Sequence, residues 1–95
     1  MVTAAPQPVP DSVLIDRMMR GDEAALSTIY DRYSSMLLGL LVRILRDQQA
    51  AEEILQDLFM QLWRNAEKFN ATRGSLAAWL MVIGRSRAIS RLAPG

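Results

Sequence analysis

Residues 47–63, D-Q-Q-A-A-E-E-I-L-Q-D-L-F-M-Q-L-W, decide how the rest of the chain is read. Ala51, Ile54, Leu55, Leu58, Phe59, Leu62 and Trp63 recur at threes and fours, the spacing of one face of an α-helix. Gln49, Glu52, Glu53, Gln56, Asp57 and Gln61 fall opposite them. Asp47, just ahead, carries a short acceptor side chain suited to an N-cap. The pattern predicts an amphipathic helix over residues 48–66.

The neighbouring segments extend the same theme. Asp22 can cap a helix over 23–46, whose apolar positions Leu26, Ile29, Tyr30, Tyr33, Met36, Leu37, Leu40, Leu41 and Ile44 again keep helical spacing. Gly39 inside it costs about 1 kcal/mol against alanine, tolerable where a neighbour packs closely. The apolar run 36–45 is about half the length of a bilayer-spanning helix and is interrupted by Arg43, so it reads as core. Upstream, Asp11 or Ser12 can cap a short helix to Arg20, apolar at Val13, Leu14, Met18 and Met19 and stopped by Gly21. Residues 1–10, with Pro6, Pro8 and Pro10, read as a flexible tail. Downstream, residues 67–74 lose the pattern and read as a loop, and Ser75 can cap a last helix over 76–92 that residues 93–95 end. No strand candidate or repeat appears. The expected fold is all-α: a compact bundle of three principal helices with a short N-terminal one, Leu58, Leu62 and Ile83 lying in its core.

Composition narrows the function. A chain of 95 residues, 51% hydrophobic, is one small domain able to bury a core. It contains no Cys and no His, which removes disulfides, thiol catalysis, zinc fingers and imidazole acid–base chemistry. Its serines and threonines have no His partner, and no Gly-rich phosphate loop is present, so neither an enzyme nor a bound cofactor is expected. Glu52, Glu53 and Asp57 could suggest a metal site, but carboxylates on an amphipathic face with no His beside them read as solvated surface. No basic start or apolar stretch opens the chain, so no secretory leader is expected and the setting expected is cytoplasmic.

The charge is unevenly placed. Residues 1–60 hold five basic and nine acidic side chains, whereas 61–95 hold six basic and one acidic. The polar face of the 48–66 helix is rich in Glu and Gln without Glu–Lys pairs, leaving acceptors for a basic partner or simply for solvent. The last quarter gathers Lys68, Phe69, Asn70, Arg73, Trp79, Arg85, Arg87 and Arg91. Single-stranded nucleic acid requires such a mixture, cations for phosphates and flat or apolar surfaces for unstacked bases. Trp63, Phe69 and Trp79 serve equally well as core. Arg87 and Arg91 share a helix face; Arg85 is displaced from both.

The segments GDEAALSTIYDRY (21–33), LLVRILRDQQAAEEILQDLFMQLW (40–63) and GSLAAWLMVIGRSRAISRL (74–92) together resemble region 2 of extracytoplasmic-function (ECF) sigma factors of bacterial RNA polymerase. The resemblance covers residues 12–92, and the order and spacing of the three blocks carry it. It implies a transcription-initiation domain that binds core RNA polymerase and engages the promoter −10 element as it melts. Residues 51–57, A-E-E-I-L-Q-D, match the family's A-E-D-L-V-Q-E block, which implies that Glu53, Gln56 and Asp57 contact the clamp coiled coil of the largest polymerase subunit.

Residues 70–75 fall where the family captures a base flipped from the non-template strand. That implies base reading by Asn70, phosphate contacts from Lys68 and Arg73, and a DNA surface continuing through Ser75, Trp79, Arg85, Ser86, Arg87 and Arg91. Ser86 and Ser90 stand where the family often has Asn and Asp, and Trp79 is followed by Leu80 where primary sigma factors carry two adjacent tryptophans. The resemblance further implies an anti-sigma factor as partner, no membrane or small-molecule partner, and a region 4 domain of which these 95 residues show no trace; a chain cut after region 2 is the expectation, a natural one-domain protein the alternative. The rival reading is a helical protein-interaction module of the same fold that binds no DNA.

Overall fold

A computed structural model describes residues 8–69 and 75–93; Asn70 and Arg73 therefore lie outside the described residues. Five helices follow one another: α1 (Asp11–Met19), α2 (Glu23–Leu45), α3 (Gln48–Arg64), the single turn α4 (Ala66–Phe69) and α5 (Leu76–Leu92). No strand occurs among the described residues. The all-α bundle expected from periodicity is what forms.

Local chemistry sets the boundaries. The Asp22 carboxylate accepts from the Ala24 amide at 3.0 Å, Asp47 from Ala50 at 3.1 Å, and the Ser75 hydroxyl from Ala78 at 3.1 Å. These are the three N-caps the sequence announces. Gly21, at φ 87°, closes α1 in a Schellman arrangement: its amide donates to the Met18 carbonyl at 2.9 Å and the Asp22 amide to the Arg17 carbonyl at 3.0 Å. Arg46 adopts the left-handed conformation, φ 54°, and so ends α2 at Leu45. With Asp47 capping the next helix, α2 and α3 are joined by two residues.

Two boundaries differ from expectation. The α1 cap is neither Asp11 nor Ser12. Pro10, already extended, presents its carbonyl to the Val13 and Leu14 amides at 3.0 and 3.2 Å, so the helix starts one residue earlier. The Asp11 carboxylate is thereby free to reach α2, where it accepts from Arg32 Nη1 at 2.8 Å and from the Tyr33 hydroxyl. The long α3 stops at Arg64 because the Asn65 side-chain amide bonds back to the Gln61 carbonyl at 3.0 Å, an alternative to continued helix. The Asn65 carbonyl then receives the Lys68 and Phe69 amides, so the start of the expected loop is the turn α4.

The core is layered around α2, which packs against α1, α3 and α5. Leu14 and Ile15 of α1, Ile29, Leu37 and Leu41 of α2, Leu58 and Leu62 of α3, and Leu76 and Leu80 of α5 are fully buried. Ile15, three residues before Met18 and so on the same helix face, is among them, whereas Val13 and Met19 are exposed. Ile83 is only partly buried, at the margin of the core and not within it. Tyr30 and Met36 belong to the α2 stripe but are exposed at its edge, since α2 is covered on three sides only. No neighbour packs at Gly39, where a Cβ would meet nothing within 4 Å; at Gly84 a Cβ would sit 3.4 Å from Leu58 Cδ2 and 3.8 Å from Leu41 Cδ2, in ordinary contact with both.

Three measurements follow from this packing. Leu62→Ala empties a fully buried site and should lower unfolding free energy by about 2–5 kcal/mol in chemical denaturation. Gly39→Ala, on an exposed helical position with open space beside it, should raise stability by about 1 kcal/mol, an increase of about 4–8 °C in Tm. Burial first, and then its bond to the Asp11 carboxylate, push the Tyr33 hydroxyl from 10.0 up to about 12. The folded state therefore holds this proton more tightly than the unfolded chain, so stability is intact below pH 10 and falls as pH rises from 10 toward 12. Tyr33→Phe should flatten that alkaline loss in pH-dependent denaturation; an identical profile would contradict the assignment.

Candidate nucleic-acid and partner-binding surfaces

The polar side of α3 is formed as the sequence implies, opposite the buried Leu55, Leu58 and Phe59. Glu52, Glu53, Gln56 and Asp57 are all exposed. Gln56 and Asp57 make no side-chain hydrogen bond or ion pair among the described residues. Glu53 differs. Its Oε2 accepts from Arg91 Nη2 at 2.9 Å, with the two side chains 49% and 45% exposed. Eight residues further along α3, Gln61 Oε1 accepts from Arg87 Nη2. The acceptor face is thus partly occupied by the chain's own last helix, a pairing across sequence that helical periodicity cannot reveal.

The side chains of α5 are sorted by its buried stripe, Leu76, Leu80, Gly84 and Ala88. At about 100° per residue, Arg87 and Arg91 fall on the flank facing α3, where their bonds to Gln61 and Glu53 hold them. Arg85 falls on the opposite flank, beside Met81 and Val82 and toward Leu40 and Ile44 of α2. The outward face between the flanks carries Val82, Ser86, Ile89 and Ser90, with Val82 66% and Ile89 49% exposed. These two aliphatic side chains were not singled out from the sequence. Their exposure follows only once Gly84 is known to point inward.

The other candidates are distributed as follows. The Ser75 hydroxyl is committed to the α5 cap. Trp79 is partly buried and meets Phe69 edge-on, ring centroids 5.9 Å apart, which fastens α4 to the start of α5 and leaves Lys68 exposed beside them. The structure thus brings Lys68, Trp79, Ser86 and the three arginines onto one helix and the turn before it. No cluster of three or more carboxylate, His or Cys groups suited to a metal occurs among the described residues. No helix there is long and apolar enough to cross a membrane.

Residues 29–93 match the Sigma-70 region 2 family, which takes in most of α2 and all of α3, α4 and α5. The chain belongs to that family. Among its relatives, the ECF RNA polymerase sigma factor SigK of Mycobacterium tuberculosis is 38% identical over 79 residues, covering 83% of this chain and 42% of the relative. SigK of Mycobacterium ulcerans is 35% identical over 81 residues, 85% of this chain and 43% of the relative. SigK of Mycobacterium sp. (strain KMS) is 36% identical over 80 residues, 84% and 42%. This region 2 domain therefore spans about two-fifths of the length of the relatives it matches. The family is one of transcription-initiation factors and not of enzymes. The resemblance read from the three sequence blocks is the correct one.

Proposed function

We propose that this region 2 domain belongs to a cytoplasmic sigma factor, docks on core RNA polymerase through α3, and holds the non-template strand of the melting −10 element on α5 and the loop before it. The observation that carries the reading is the adjacency of two chemically opposite surfaces within the family match. One is a face of exposed acceptors centred on Gln56 and Asp57. The other is a helix with three arginines around an exposed strip of apolar and hydroxyl side chains. Charge-assisted bonds to arginine or lysine of the polymerase clamp coiled coil suit the first. Phosphates and unstacked bases suit the second.

Within this reading Lys68, Arg73, Arg85, Arg87 and Arg91 serve phosphates, Asn70 reads the edge of a flipped base, and Ser86 makes the shorter-reaching contact its side chain allows. Trp79 packs on Phe69 while presenting its remaining surface to the strand. An anti-sigma factor would act by covering one of these two surfaces. The pairs Arg91–Glu53 and Arg87–Gln61 do not oppose the reading. Exposed pairs contribute about 0–1 kcal/mol and yield readily to a phosphate or a partner's cation.

The experiment measures both surfaces in parallel. Gln56→Ala with Asp57→Ala should leave Tm nearly unchanged and weaken core polymerase binding by about 1–3 kcal/mol, while fluorescence anisotropy with a labelled −10 single strand stays at the wild-type value. Wild-type polymerase affinity in the double variant would remove α3 from the docking surface. A wild-type chain that binds polymerase but no single strand would instead be an interaction module without DNA binding.

A further inference from the structure

Two adjoining cavities, of about 370 and 470 Å³, run along the seam between α2 and α5 and share Leu40 and Met81. They form one cleft. Its floor is aliphatic, with Ile44 and Met36 extending it along α2. Arg43 of α2 lines one part and Arg85 of α5 the other, and no carboxylate lines either. Both arginines are exposed, and neither makes an ion pair or side-chain hydrogen bond among the described residues. Arg87 and Arg91, on the opposite flank of α5, are held by α3.

Gly39 opens the same cleft. It sits in the middle of a 23-residue helix, where glycine is unfavourable relative to alanine, yet no part of the protein approaches the space its missing Cβ leaves. The fold gains nothing from that space. What it provides is room in the cleft wall. The cleft is also continuous with the outward face of α5, since Val82 and Arg85 line both.

We infer that the cleft carries single-stranded DNA onward from the outward face of α5 onto α2, with Arg43 and Arg85 on phosphates and the aliphatic floor under the unstacked bases. The chemistry is that of a strand-binding groove: cations on the walls, apolar surface between them, no opposing negative charge. This rests on the strand-binding reading above and adds to it two residues of α2, Arg43 and Gly39.

The test is anisotropy of labelled −10-like and scrambled single strands with the whole chain, titrated with salt, alone and with core polymerase. Arg43→Gln should weaken both strands alike, about three- to tenfold at low salt, and lower the log–log salt slope by about 0.7. Arg43→Lys should keep the slope. Gly39→Leu, which fills the cleft wall with a good helix former, should weaken both strands without changing the slope. Melting curves confirm that each variant is folded. Wild-type affinity and slope in both Arg43→Gln and Gly39→Leu would overturn the inference alone and leave the cleft to an acidic amphipathic helix of a protein partner. A wild-type chain that binds no single strand overturns it together with the reading it rests on, and polymerase binding measured beside it distinguishes the two cases.

Discussion

The decisive constraint in this domain is the seat of α5, where Leu76, Leu80, Gly84 and Ala88 are buried and Gly84 faces the side chains of Leu58 of α3 and Leu41 of α2. That seat fixes the rotation of α5. Once Gly84 points inward, every other residue of the helix has its direction assigned by the helical repeat. Arg85 must turn toward α2, Arg87 and Arg91 toward α3, and Val82, Ser86 and Ile89 toward solvent. The burial of Leu76, Leu80 and Ala88 in register with Gly84 makes the assignment cooperative. A helix with this sequence rotated by one residue would bury a charge.

The placement of the candidate surfaces is therefore a product of packing and not of charge. The arginines of α5 are split between two flanks because the core demands their neighbours. The flank facing α3 is chemically satisfied within the chain, through Gln61 and Glu53. The flank facing α2 is not, and there the helix borders a cleft. The two surfaces differ accordingly: one trades an internal bond for an external one on binding, while the other presents cations with nothing to give up.

Much of this was legible in the sequence. Asp22, Asp47 and Ser75 act within three residues of themselves, so their caps could be read directly, and the α3 stripe needed only the helical repeat. The three blocks from 21 to 92 were enough to reach the family. What escaped depends on contacts between distant residues. Asp11 has the local signature of a cap, whereas its actual partners, Arg32 and Tyr33, lie more than twenty positions away. Gly39 and Gly84 look alike in a helical pattern, and only the crossing of α5 shows which one is a contact and which is open space. Ile83 has the spacing of a core residue but lies at the rim, because α5 is covered on one side only. The pairing of Glu53 with Arg91 spans 38 positions and leaves no local trace.

The short α1 is fastened at both ends. Its first residue is bonded to the middle of α2 through Arg32 and Tyr33, and its last turn runs through Gly21 into Asp22, which closes one helix and caps the next. A helix of nine residues is marginal by itself and would ordinarily fray from its free end. Here fraying at the first turn must break the Asp11 bonds to α2, and fraying at the last must break the bonds that Gly21 and Asp22 make to Met18 and Arg17. Opening α1 therefore carries a cost from whichever end it begins, and the N-terminal edge of the domain is tied down on both sides.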